Sequence, residues 1–303
     1  MPPPPEKSLS RALVWLRRDL RADDNAALYH ALTAAKQVWV GFVFDRAILG
    51  ALPRADRRVE FIRDSLVGLE AQLQKLAAPA NVGLLVRHGT GTDELPRLAQ
   101  SLGVQAVYCN HDDEPYALSR DAAVRGTLAA AGIALHTSKD HVIFERSEVL
   151  TQSGGVYGIF TPYKNAWLKR LDGYFLKAYP VERHAAALAA PPQGVAAGVP
   201  TLAELGFEPT NLASLKMPPG PAGAQSMFAE YLHRIDDYEQ TRNFPAVKGP
   251  SYLSTHLRFG TISIRQLARE SWQRVQGGSA GAQVWLSELI WRDFYHQILA
   301  NFP

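Results

Sequence analysis

Apolar positions in the first half of the chain cluster into short, nearly continuous runs: Ala12–Leu16, Gln37–Phe44, Val82–Arg87, Gln105–Asn110 and Ile133–Thr137. Between them lie helix-length stretches near Asn25–Ala35, Arg54–Leu76, Asp93–Ser101 and Pro115–Ala131. In the second stretch Val59, Ile62, Leu66, Leu69, Leu73 and Leu76 step by three and four, which puts one apolar stripe on a helix. Near-continuous apolar strands separated by amphipathic helices imply a parallel sheet covered on both faces. The pattern predicts an α/β domain over residues 8–137 with a five-stranded, doubly wound parallel sheet.

The alternation stops near residue 138. Ala185–Gln225 is dense in alanine, proline and glycine, with too little apolar bulk for a core and too much proline for a long helix. Residues 138–225 therefore read as a connector draped over the surface. Within it Phe160-Thr161-Pro162-Tyr163-Lys164-Asn165-Ala166-Trp167 is denser and should be anchored, with a helix starting after Pro162. Helical spacing returns with Met227, Tyr231, Ile235 and Tyr238, then Ile264 and Leu267, then Trp285 onward. Residues 226–303 are expected to be all-helical.

Composition narrows the picture. The 303 residues have room for two domains, and 47% apolar with 10% aromatic residues fits an ordinary globular chain. No stretch approaches the roughly 20 apolar residues that cross a bilayer, and the proline-rich start, Met1–Lys7, lacks the apolar core of a secretion signal. Cys109 is the only cysteine, so no internal disulfide forms; it ends an apolar run and reads as a small buried hydrophobe. These features suit the cytoplasm. The nine histidines show no metal-ligand spacing, and no metal is expected. A net charge of +3 permits a polyanionic partner without demanding one.

Three segments carry candidate chemistry. The turn after the first strand, Arg17-Arg18-Asp19-Leu20-Arg21-Ala22-Asp23-Asp24-Asn25, holds no glycine, which excludes the dinucleotide fingerprint and the phosphate-cradling loop. It reads as a solvated charged turn that caps the next helix through Asp24 or Asn25. The second segment runs from Tyr238 through Arg242-Asn243-Phe244-Pro245 to Ser251-Tyr252-Leu253-Ser254. Its serines either cap a helix beginning near Leu253 or offer hydroxyls to a phosphate at that helix start. The third is the helix around Trp285–Tyr295. On a 3.6-residue period Trp285, Glu288, Trp291, Arg292 and Tyr295 share an arc of roughly 120°, and Leu286, Leu289, Ile290 and Phe294 make the rest apolar. Either Glu288 and Arg292 pair internally at i, i+4, or the arc walls a cavity with aromatic faces, a cation and an acid.

Together, Trp15-Leu16-Arg17-Arg18-Asp19-Leu20-Arg21, Phe160–Trp167, Tyr238…Ser254 and Trp285…Glu288-Leu289-Ile290-Trp291-Arg292 resemble the DNA photolyase/cryptochrome family, in order and over the whole chain. The match is nearest to bacterial class I members that split cyclobutane pyrimidine dimers. The resemblance implies an α/β antenna domain, a connector and a helical domain that holds FAD. It implies light-driven repair in which reduced FAD passes an electron to a flipped-out dimer, photolyases being among the enzymes that extrude the target base from the duplex.

Position by position, the resemblance gives Tyr238, Ser251, Leu253 and Ser254 to the FAD phosphates and their surroundings, and Trp285, Arg292 and Tyr295 to the flavin pocket. Trp291 would stack on the lesion, Glu288 would hydrogen-bond its pyrimidine edge, and Arg242 would meet a DNA phosphate. Glutamate at 288 is the dimer-photolyase choice, where animal cryptochromes usually have glutamine; a cryptochrome-like photoreceptor is the alternative reading. Pro250 departs from the family's usual threonine. Asn110–Tyr116 lacks the Asn-Glu pair of folate-binding members, so a folate, a deazaflavin or no second antenna all stand open. Dimer-containing DNA is the expected partner of a monomer that binds no membrane. Relatives continue beyond the position of Pro303, so the chain reads as the first part of a longer helical domain, expected on its own to hold FAD weakly and repair little, or to be an inactive fragment.

Overall fold

A computed structural model describes residues 7–303; Met1–Glu6, which hold most of the proline-rich start, lie outside the described residues. The strands are β1 (Leu9–Leu16), β2 (Ala35–Asp45), β3 (Leu85–Gly89), β4 (Ala106–Asn110) and β5 (Ala134–Ser138). They form one parallel sheet in the order β3-β2-β1-β4-β5. The helices interleaved with them are α1 (Ala26–Ala34), α2 (Arg46–Leu49), α3 (Arg57–Ala77), α4 (Gly91–Ser101) and α5 (Pro115–Ala130). Alternation along β1 sorts its side chains between two cores. Ala12, Val14 and Leu16 pack with α1 and α3, whereas Leu13 and Trp15 pack with α4 and α5. Both faces are therefore dry at the centre of the sheet, which is why β1, β2 and β4 carry near-continuous apolar runs.

Six helices follow: α6 (Phe160–Arg170), α7 (Gly220–Leu232), α8 (Tyr238–Thr241), α9 (Ser254–Phe259), α10 (Ile264–Gln276) and α11 (Ala280–Asn301). Tyr163 and Trp167 of α6, Phe228 and Tyr231 of α7, Leu267 of α10 and Trp285, Leu286 and Ile290 of α11 build a third core. Helix α6 begins two residues before Pro162, which then sits in the first turn, where a missing N–H costs nothing. The Ala185–Gln225 stretch is less superficial than its composition suggests. Val181, Ala185, Leu188, Leu205 and Phe207 pack into the α1/α3 core, and Trp39 Nε1 donates to Ala190 O at 3.0 Å. Sparse large residues at the right intervals were enough to seat it, and α7 already starts at Gly220.

The charged turn after β1 is not solvated: Asp19, Arg21, Asp24 and Asn25 are all buried. Asn25 does cap α1, accepting from Leu28 N at 3.1 Å. The rest of the turn joins the sheet to the helical region. Arg265 of α10 donates from Nε to Asp24 Oδ1 at 2.9 Å and from Nη2 to Asp140 Oδ1 at 2.8 Å. Arg21 Nη2 reaches Asp140 Oδ2 at 2.8 Å, and Ser263 Oγ donates to Asp24 Oδ2 at 2.5 Å. Burial would raise the Asp140 carboxyl, yet the two guanidiniums hold it well below its ordinary range. Gly260, which ends α9 at φ +64°, presses on the same turn; a Cβ there would lie 2.0 Å from Arg18 O.

Two outcomes follow. Arg265→Ala leaves Asp24 and Asp140 buried without their shared cation, so unfolding free energy in urea should fall by about 3–5 kcal/mol; a loss under about 1 kcal/mol would show that the network is not structural. His256, fully buried on α9 with Nδ1 on Thr261 Oγ1 at 2.7 Å, is pushed down to about 4 by burial. Between its ordinary 6.5 and about 4 the unfolded chain takes up a proton that the folded chain refuses. Stability from this group is thus intact above about pH 6.5 and declines as pH falls towards 4, by roughly 3 kcal/mol. His256→Gln should remove that part of the pH dependence; an unchanged slope would contradict the assignment.

Candidate functional site

Residues one and two turns apart on α11 define the site. Trp285, Glu288, Leu289, Arg292 and His296 fall on one stripe of that helix and face α8, α9 and the loop between them. The cavity so enclosed measures about 430 Å³. Its opposite wall is Tyr238, Pro250, Ser251, Ser254 and Leu257, and Arg18 and Arg258 close it towards the sheet. The sequence motifs therefore converge on one space from segments far apart in the chain.

The loop is held tightly. A Cβ on Gly249 would lie 2.7 Å from Thr241 O, so the chain must be glycine to fold back onto α8. Arg234 Nη2 donates to Pro250 O at 2.9 Å. Tyr252 adopts φ +59°, a left-handed conformation that costs an aromatic residue on the order of 1–3 kcal/mol. The serines do not cap: Ser254 is the first residue of α9, and Leu253 precedes it with no side-chain bond to the helix. Ser251 Oγ accepts from Leu253 N at a long 3.4 Å. Both hydroxyl groups thus line the cavity rather than being consumed by the helix end.

Arg292 does not pair with Glu288. Its Nη1 donates to the carbonyl of His141, and it has no ion-pair partner among the described residues. Burial pushes this guanidinium down to about 10. Beside it, burial, Arg292, Arg18 and Arg258 push His296 down to about 3, so the imidazole is neutral. Glu288 instead meets Arg242, with Nη1 2.5 Å from Oε1, and the Arg242 guanidinium lies 5.4 Å from the centre of the Tyr238 ring. Trp285 is almost wholly buried against Tyr231 and Phe228.

Four expected residues stand apart from this cavity, Arg242 at the end of α8 among them. Leu253 is fully buried in the helical core. Trp291 and Tyr295 point some way round α11 from the stripe: Trp291 stacks on Phe160 at 3.5 Å and 8°, and Tyr295 stacks on Trp291 at 5.5 Å and 22° and is 62% exposed. The arc read from the helical period was wide enough to hide this split. Arg18, Leu257, Arg258 and His296 went unassigned in the sequence. Arg258 lies four residues beyond Ser254 and His296 four beyond Arg292, a signal available but weak.

Asp293 fixes the stripe from behind. Its Oδ2 accepts from Ile143 N at 3.0 Å, Phe144 N at 3.1 Å and Trp167 Nε1 at 2.9 Å, tying α11 to the connector and to α6. Burial pushes this carboxyl up to about 6 despite those donors. A second cavity of about 180 Å³ lies at the carboxyl ends of β1 and β2, lined by Trp15, Phe42, Phe44, Asp45, Tyr116 and Arg120. No helix among the described residues is long and apolar enough to cross a membrane.

Comparison with known proteins identifies the family. The DNA photolyase family model matches residues 12–191. The chain belongs to the DNA photolyase family. It is 33% identical over 304 residues to a deoxyribodipyrimidine photo-lyase of Synechococcus, spanning 96% of this chain and 60% of that protein. Rat Cryptochrome-1 is similar at 26% identity over 311 residues, 96% of this chain and 51% of its own. A bacterial class III photolyase from Agrobacterium tumefaciens superimposes with a TM-score of 0.83 at 25% identity, covering all of this chain and 61% of that one. The chain thus spans about 60% of the length of the photolyases it matches.

Asp293→Ala should strip three donors at once and lower unfolding free energy by about 3 kcal/mol. Asp293→Asn keeps an acceptor oxygen and should lose less; equal losses would mean that charge, not acceptance, is what the site requires.

Proposed function

We propose that this chain carries the FAD-binding and lesion-facing parts of a light-driven enzyme that splits cyclobutane pyrimidine dimers in DNA. The observation that carries the reading is convergence: Tyr238, Ser251, Ser254, Trp285, Glu288 and Arg292 line one cavity. The residues fit an anionic flavin nucleotide. Arg292 is a cation with no carboxylate partner among the described residues, the Ser251 and Ser254 hydroxyls line the cavity, and Trp285 and Tyr238 supply aromatic surface. Bound in its reduced form, FAD would supply the light-driven electron to the dimer.

The chain's own residues then have distinct tasks. Ser251, Ser254 and Arg292 hold phosphate oxygens, with Leu253 anchoring their loop in the core. Trp285 borders the flavin from within the cavity, whereas Tyr295, outside it and stacked on Trp291, borders the flavin region only from the adjoining surface. Trp291, braced by Phe160, offers a flat ring for a flipped base, where stacking is worth about 1–3 kcal/mol. Glu288 accepts a hydrogen bond from the pyrimidine edge, and Arg242 meets a phosphate beside it. A second chromophore, a folate or a deazaflavin, suits the cavity at the ends of β1 and β2. The proposed working form is a cytoplasmic monomer, and residues 8–137, 138–225 and 226–303 serve as antenna domain, connector and first part of the FAD domain. A cryptochrome-like photoreceptor is the second reading, favoured by the likeness to Cryptochrome-1 and opposed by its lower identity and by Glu288.

Titration with FAD tests the site. Arg292→Ala should raise the concentration needed for half-saturation about tenfold or more, since a charged hydrogen-bond donor is lost. Equal titration curves would contradict the assignment. With flavin bound and reduced, blue light should restore thymines in a dimer-containing oligonucleotide; saturation with flavin and intact dimers would favour the photoreceptor.

A further inference from the structure

Glu288 and Arg242, each assigned a DNA contact above, are bonded to one another. Arg242 Nη1 lies 2.5 Å from Glu288 Oε1, and each side chain is 35% exposed. The two come from separate elements, α8's end and the middle of α11, and Glu288 also lines the cavity, so the pair ties α8 to the cavity wall. The hydrogen bond to Glu288 holds the Arg242 guanidinium above its ordinary range. Among the described residues neither group has a second ion-pair partner, because Arg292, one turn on from Glu288, is turned to the His141 carbonyl. The Tyr238 ring under Arg242 steadies the guanidinium in this position.

We propose that this ion pair sets specificity for damaged DNA by requiring both of its members to be satisfied together. The inference rests on the photolyase reading. A phosphate of an intact duplex competes for Arg242, but taking it strips Glu288 of its cation and leaves a carboxylate beside a polyanion. Bases stacked within the duplex offer Glu288 nothing in return. An extruded pyrimidine pair brings ring N–H donors to the same position. Only that ligand replaces both halves of the broken pair, one with phosphate and the other with a base edge. Intact DNA is thus disfavoured by what it must break, independently of what the lesion gains.

The test measures affinity for matched duplexes with and without one dimer, in the dark. Glu288→Gln should raise affinity for the intact duplex about two- to fivefold, the range of a partly exposed ion pair. Its salt dependence should steepen as Arg242 becomes free to neutralise a phosphate. Affinity for the dimer duplex should not rise in step, so discrimination contracts. Glu288→Ala should show the same gain for intact DNA, because the lost charge matters and not the amide. In an Arg242→Ala background, Glu288→Gln should give a clearly smaller gain, only that from removing one negative charge, because no ion pair is left to break. An equal gain in both backgrounds would mean simple removal of a negative charge and would overturn the proposal, as would no gain in either. A wild-type chain that binds neither duplex would instead overturn the assignment of Glu288 and Arg242 to DNA, on which the proposal rests. Both side chains are partly exposed, so the variants are expected to melt with the wild type.

Discussion

Everything at the cavity depends on two aspartates and two arginines buried between the sheet and the helices. Asp24 and Asp140 come from the α/β side, Arg265 from α10, and Arg21 binds the same Asp140. Buried charges are stable only when paired and fully hydrogen-bonded, so this network tolerates one relative placement of its parts. It pulls the turn after β1 onto the end of α9, where Gly260 and Phe259 meet Arg18, Asp19 and Leu20. Arg18 and Arg258 then complete the cavity wall from that side. The glycine-free turn, which has no phosphate-binding signature of its own, serves the site by positioning its neighbours.

A second fixed point lies behind α11. Asp293 accepts from the connector backbone and from Trp167, so the neighbouring face of α11 presents Trp285, Glu288 and Arg292 at set positions. Trp291 is braced separately by Phe160, from the densest motif of the connector. The helix therefore serves two surfaces: a cavity with hydroxyls, aromatic rings and a cation that bonds only a carbonyl, and an adjoining aromatic stack. In the proposed function that division gives flavin to one and a flipped base to the other.

Much of this was legible in the chain. Strand and helix order followed from apolar runs and three-four spacing, because a sheet dry on both faces leaves little room for polar residues. The motifs of Tyr238–Ser254 and Trp285–Arg292 named most of the cavity. What escaped had physical causes. A charged turn looks the same in sequence whether wet or buried, since its partner Arg265 lies 241 residues from Asp24. The connector's few large residues were spaced for the surface of α1 and α3, not for any local period. Helical spacing offers Glu288 a partner in Arg292 on its own helix, whereas Arg242 reaches it from the end of α8, far away in the chain. Trp291 and Tyr295 fall on the same arc, but the stack of Phe160, Trp291 and Tyr295 sets them apart from the stripe.

The most direct test of the central claim is a crystal structure of the chain soaked or grown with FAD. The account predicts pyrophosphate oxygens within hydrogen-bond distance of the Ser251 and Ser254 hydroxyls and the Arg292 guanidinium, with the ring system beside Trp285. A flavin bound elsewhere, with Arg292 still bonded only to the His141 carbonyl, would contradict it.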